Sequence, residues 1–494
     1  MGLDVRQEAF EQADFERFSD RLQADLTALD VVLQRPGFGV GPRSFGVELE
    51  LALIDARGMP SFCNGEVLEN LDDAHFTSEL NRFNLEFNGA PTALSGRPFK
   101  IMGRQLETAL AAVQDAARPS GAQAVPIGIL PTLAPHHLGP SAMTPKTRYR
   151  VLDANLRRHR RRPFELRING EDPLKLTVSD VTYEGANTSF QIHLRVDPAA
   201  FERCYNAAQL ATAPALAISG NSPYFLQHRL WEESRIAVFK QTVDDRDARA
   251  YHRHDLPRVC FGADWLRGGA LAAFRESVER HDPLLPVCGD EDAIAVARGG
   301  RTPELAELRL HNSTVWNWNR PVYDPADGGH LRIEFRALAA GPTVADMMAN
   351  AALLIGLTLA LADDGLPDPD RFSFETAHHN FYRAAQYGLD AELHWPTPDG
   401  RHRAWRASEL LLQLLPLARR GLRGAGVAGI DIDDSIDIIE HRLLRRRTGA
   451  RWQVLRVTDL ERRHDRAEAL RRMLLDYAAQ ARAGAPVHTW SLEA

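Results

Sequence analysis

Four short stretches would each lay charge on one face of a β-strand and apolar side chains on the other. They are Phe45-Gly-Val-Glu-Leu-Glu-Leu-Ala-Leu53, Asn84-Leu-Glu-Phe-Asn88, Gln191-Ile-His-Leu-Arg-Val196 and Leu331-Arg-Ile-Glu-Phe-Arg-Ala337. Side chains on a strand alternate with period two. Val47, Leu49, Leu51 and Leu53 therefore share one face, and Glu48 and Glu50 the other. Glu86 lies between two same-facing asparagines. Gln191, His193 and Arg195 align, as do Arg332, Glu334 and Arg336. A sheet built from these strands has an apolar back and a polar, carboxylate-rich front.

Residues 8–34 carry apolar side chains at three- and four-residue steps, which predicts a helix. Pro36-Gly-Phe-Gly-Val-Gly-Pro42 then interrupts the chain before the first charged strand. The same periodicity predicts helices over 98–117 and 198–219, and 124–130 reads as a strand. Beyond the fourth charged strand the pattern turns helical, over 343–363, 375–389, 407–423, 433–448 and 459–482. Strands early and helices late point to an α+β fold and not to alternating βαβ units. The loops Asp363–Asp370 and Pro396–Gly400 read as surface connections. No linker separates independent domains. The expectation is one catalytic domain over 1–494, with a helical arm (1–40), a sheet-bearing core (41–342) and a helix-rich part packed on it (343–494).

The formal charge of -7 lacks the basic excess of nucleic-acid binders, so no such partner is expected. Cys63, Cys204, Cys260 and Cys288 form no CxxC or zinc-like spacing and read as reduced thiols. The first fourteen residues lack the apolar stretch of a signal peptide, and the apolar run 349–362 reads as a buried helix. Together these predict a cytoplasmic protein with no membrane partner.

Glu48 and Glu50 would lie roughly 6.5–7 Å apart between Cα atoms. Unpaired, they would repel by about 2–3 kcal/mol at an effective dielectric of roughly 20. Divalent cations relieve that repulsion, and Mg²⁺ prefers oxygen ligands. Glu79 and Glu86 supply further carboxylates, and His193 a neutral imidazole able to bind metal. Glu334 sits between Arg332 and Arg336, and the Arg336 guanidinium matches phosphoryl oxygens in shape. Each feature alone also fits a solvated strand face. Converging, they suit two or three divalent ions and a triphosphate, because phosphoryl transfer needs positioning and charge neutralisation. There is no GxxxxGK[ST] loop and no usable GxGxxG, so bound ATP would be held by metals and arginines. The basic run Arg157–Arg162 reads either as an attractor of nucleotide or another polyanion or as a solvated face or mobile loop near the mouth, and Arg445–Arg451 either as a segment folding back over the site or as a basic helix C-terminus favoured by the dipole.

The order ExE, a spaced Glu pair, a strand His and an R-I-E-F-R strand resembles the glutamine synthetase/glutamate–cysteine ligase superfamily. Ser189-Phe-Gln-Ile-His193, Ile218-Ser-Gly-Asn-Ser-Pro223, Glu233-Ser-Arg-Ile-Ala-Val-Phe-Lys-Gln241, Trp318-Asn-Arg-Pro321 and Tyr387-Gly-Leu-Asp-Ala391 look like its carboxylate–amine ligase branch. The resemblance implies a curved, mainly antiparallel sheet flanked by helices, a glutamine-synthetase-like catalytic fold, with ATP and Mg²⁺ (or Mn²⁺) in the bowl. It implies phosphorylation of the γ-carboxylate of glutamate and attack by the amine of cysteine or a similar compound, as in glutathione biosynthesis. Glu48, Glu50, Glu79, Glu86, His193 and Glu334 would be metal ligands. Arg336 would steady the phosphoryl group, with Glu334 beside it. Gln191, Arg235, Arg332 and Arg246 would contact ATP or substrate. A homodimer is expected from kinship. A small-molecule phosphotransferase and a non-catalytic nucleotide-binding module are the alternatives.

Overall fold

The computed structural model describes residues 5–160, 163–246, 256–366, 372–397 and 402–492. The charged strands form where alternation places them. In strand Ser44–Asp55, Phe45, Val47, Leu49 and Leu51 are buried while Gly46, Glu48 and Glu50 stay half-buried. Strands Asn84–Asn88, Phe190–Val196 and His330–Phe335 are the other three.

These strands belong to one antiparallel, curled sheet. Its order is Asn319–Asp324, His330–Phe335, Phe190–Val196, Ser44–Asp55, Asn84–Asn88, Phe76–Ser78, and two short strands (Thr92–Ala93 and Ala122–Val125) also pair with Ser44–Asp55. Register brings the charged positions side by side. Glu334 lies opposite both Arg320 and His193. Glu48 lies between Gln191 and Asn88, and Glu50 opposite Glu86. Neighbouring strands are about 4.8 Å apart, so residues far apart in sequence share one patch.

Helices cover the apolar back. Helix Phe201–Ser219 and helix Val344–Asp363 are buried along almost their whole lengths. The latter is long and apolar enough to cross a bilayer, yet 94% of its apolar window lies inside the fold. Thr343 starts it by accepting from Asp346 N. It packs closely on helix Ala407–Gly424, where a Cβ on Gly421 would fall 2.1 Å from Gly356 O. Any larger residue there would force the two helices apart.

Most expected elements are present, and the departures have local causes. The expected strand 124–130 ends at Val125, because Pro126 has no N–H for the ladder. The helix expected over 459–482 forms over Arg466–Ala483, capped by Asp465, and a separate helix, Gly449–Leu460, precedes it. The helix before them stops at Arg445, and Arg446 adopts φ 49. Helix Thr147–Arg160 and hairpin Phe164–Ile168/Leu174–Val178 lack a strong enough period to be foreseen. Part of each expected loop, 367–370 and 398–400, lies outside the described residues.

Both basic runs are engaged away from the polar front. Arg157 pairs with Asp153 at 2.7 Å, and Arg158 and Arg160 lie over Phe15 and Phe164. Arg161 and Arg162 lie outside the described residues. Arg446 and Arg451 both bind Asp390.

Candidate active site

The polar front of the sheet lines a cavity of about 420 Å³, within the usual ~300–1,000 Å³ of small-molecule sites. Glu48, Glu50, Glu79, Glu86, Gln191, His193, Arg332, Glu334 and Arg336 all face it. At its floor, ligand atoms of Glu48, His193 and Glu334 lie within 4.8 Å of one another. His193 Nε2 is 3.0 Å from Glu48 Oε1, yet neither ring nitrogen has an aligned hydrogen-bond partner among the described residues. Two carboxylates and an orphaned buried imidazole form a donor set that fits a divalent ion.

Arginines flank this triad. Arg320 donates to Glu334 through Nε at 2.7 Å and Nη2 at 3.0 Å. Arg336 Nη1 donates to Glu334 as well, and to Gln191 Oε1 at 2.5 Å. Gln191 Nε2 in turn donates to Glu50 Oε1 at 3.0 Å, and Ser189 N to Glu50 Oε2 at 2.7 Å. Burial opposes ionisation of Glu334, but Arg320 and Arg336 outweigh it and hold its carboxyl below the usual range. Burial is likewise outweighed at Glu48, chiefly by His193.

In a second group of carboxylates, burial and neighbouring acids outweigh whatever favours the charged form. Burial, then Glu50, pushes Glu79 up to about 8. Burial, then Glu79, pushes Glu184 up to about 8. Glu86 is raised by burial and by Glu48, while burial raises Glu50 against the pull of Arg235 and Arg336. A carboxyl raised in the folded state favours folding below its unfolded value. That contribution is lost as pH rises through the folded value, here about 8. Above that pH the ionised group strains the fold unless cations neutralise it.

Two expected site residues are not brought to the cavity. Arg235 is buried beneath the site, where its guanidinium meets Glu233 Oε1 at 3.4 Å, Ala337 O at 3.2 Å and Arg336 O at 3.5 Å. Its two terminal nitrogens are engaged by the fold, and it does not line the cavity where substrate contact was expected. Arg246 does not line the cavity either; it forks onto Asp244 with two contacts of 2.7 Å. Arg332 faces the cavity while paired with Asp324 at 2.6 Å.

The sequence reading missed Arg320, Glu184 and a cationic wall of Lys146, Arg148 and Arg309. Arg320, Val322 and Asp324 alternate along an edge strand, but Pro321 masks it. Edge positions tolerate proline because no ladder N–H is needed there. Glu184 sits in the short 3₁₀ turn Val181–Ala186, which has no period to detect. Arg148 donates to Ser313 Oγ at 2.9 Å and so joins two walls of the cavity.

Comparison with known proteins gives the same frame. A family model described as glutamate-cysteine ligase family 2 (GCS2) matches residues 44–469. Among solved structures, the fold is similar to the glutamate–cysteine ligase (gshA) of Francisella tularensis in complex with AMP. Identity is 13% and the TM-score 0.57, over 92% of this chain and 91% of that one. A bifunctional glutathione synthetase from Pasteurella multocida matches at 12% identity and TM-score 0.44, over 93% of this chain and 55% of that one. No curated protein matches the sequence.

Proposed function

The chain belongs to the glutamate-cysteine ligase family 2, and on that premise we propose that it is an ATP- and Mg²⁺-dependent carboxylate–amine ligase. The donor is the γ-carboxylate of glutamate, and the acceptor is the amine of cysteine or a similar compound. The observation that carries the reading is the meeting of Glu48, His193 and Glu334 beside Arg336.

In this reading Glu48, His193 and Glu334 hold one divalent ion, and Glu50, Glu79 and Glu86 serve further ions. Bound Mg²⁺ supplies neutralisation of the phosphate charge. Arg336, held by Glu334 and Gln191, presents its remaining donors to the transferring phosphoryl group. Transfer forms a bond between a donor carboxylate oxygen and the γ-phosphorus and releases ADP. The amine then attacks the activated carbonyl carbon, loses a proton, and phosphate departs with the former carboxylate oxygen.

The test is an amine screen with glutamate and Mg·ATP, following phosphate release and product mass. Phosphate is expected only when acid and amine are both present, together with an amide product. ADP release at an equal rate without amine, or a stable phosphorylated acceptor, would contradict the ligase reading and favour a phosphotransferase.

A further inference from the structure

Arg235 is 2% exposed, and it is enclosed by a network that reaches from the cavity floor to the last long helix. Its Nη1 and Nη2 approach the carbonyls of Ala337 and Arg336 at 3.2 and 3.5 Å. Those two residues directly follow strand His330–Phe335, where the chain leaves the sheet. Glu233, fully buried, faces the Arg235 guanidinium and accepts from Asn221 N at 2.9 Å and Ser222 Oγ at 2.5 Å. Asn221 Nδ2 donates to Ala340 O at 2.7 Å and to the Tyr477 hydroxyl at 2.8 Å, and that hydroxyl donates to Pro126 O at 2.8 Å. Gln453 Nε2 donates to Asn221 Oδ1 at 2.9 Å. Gly449 permits this approach, because a Cβ there would fall 2.1 Å from Asn221 Oδ1. Helices Gly449–Leu460 and Arg466–Ala483 are thus tied, through buried polar atoms alone, to the backbone that carries Arg336.

We infer that Arg235 is a positioning residue: it fixes the backbone at Arg336 and Ala337, so that the Arg336 side chain meets the transferring phosphoryl group at the required angle, and Tyr477 braces that arrangement from the C-terminal helices. The inference rests on the proposed ligase reading. A side chain that aims a catalytic group changes turnover more than substrate affinity, because a misplacement of ~1 Å can cost about 100-fold in rate. Lysine keeps the charge facing Glu233 but lacks the rigid planar fork that meets the two carbonyls from separate nitrogens.

The experiment compares Arg235→Met, Arg235→Lys and Tyr477→Phe with the wild type, after circular dichroism and Tm establish that each is folded. Arg235→Met is expected to lower kcat about 100-fold, with KM for ATP held within about 3-fold, a split that marks lost transition-state positioning. Arg235→Lys is expected to regain about 10-fold of that loss, and Tyr477→Phe to lower kcat about 5-fold. Calorimetric affinity for a non-hydrolysable ATP analogue with Mn²⁺ should stay at the wild-type value in all three. Should Arg235→Met fail to fold, the other two variants decide. A raised KM with unchanged kcat would overturn the inference by making Arg235 a direct substrate contact. Wild-type kinetics at a lowered Tm would overturn it by leaving only a structural role. A wild-type enzyme that forms no amide would instead overturn the ligase reading itself.

Discussion

Glu334→Gln is expected to lower kcat/KM by at least about 1,000-fold, the scale on which single charged groups act in phosphoryl transfer. Glu334 is fully buried and stands at the junction of Arg320, Arg336 and His193. The amide matches the carboxylate in shape but carries no charge, so it can neither balance two guanidinium groups nor serve as an anionic ligand beside Glu48 and His193. Breaking a buried ion pair from one side typically costs about 3–5 kcal/mol, so the same variant should lose several degrees in Tm. Steady-state kinetics well below that Tm separate the two effects. Activity within a few-fold of wild type would remove Glu334 from the chemistry.

Arg336→Lys is the second large effect, expected to reduce kcat about 1,000-fold while Mg·ATP binding changes only several-fold. Arg336 already gives contacts to Glu334 and Gln191, and its fork leaves other donors for a ligand. A lysine ammonium would be drawn to Glu334 and leave the phosphoryl oxygens without a matching planar donor. Pre-steady-state measurement of phosphate formation checks this. A loss confined to KM would show that Arg336 binds substrate equally in ground and transition states.

Much of this site is legible before any coordinates, because period-two alternation is a strong physical signal. Once Val47, Leu49 and Leu51 must be buried, Glu48 and Glu50 have only the other face to occupy. Which strands become neighbours is not written in that pattern. The pairing of His193 with Glu334 and of Glu334 with Arg320 depends on a register set by the whole sheet. Arg235 shows a different limit. Next to Glu233 and Ser234 it reads as a cation for substrate or phosphate, but its guanidinium meets the carbonyls of Arg336 and Ala337, which lie about a hundred residues away along the chain. Glu184 shows a third limit, because a six-residue 3₁₀ turn has no periodicity that could point its side chain.

The account turns on divalent ions gathered by these carboxylates. The most direct measurement is anomalous scattering from crystals of the full chain grown with Mn²⁺ and a non-hydrolysable ATP analogue. The account predicts manganese peaks between Glu48, His193 and Glu334 and against Glu50, Glu79 and Glu86, with nucleotide phosphate oxygens completing their shells. Manganese found solely on outer carboxylates, with the Glu48, His193 and Glu334 side chains bearing none, would contradict it.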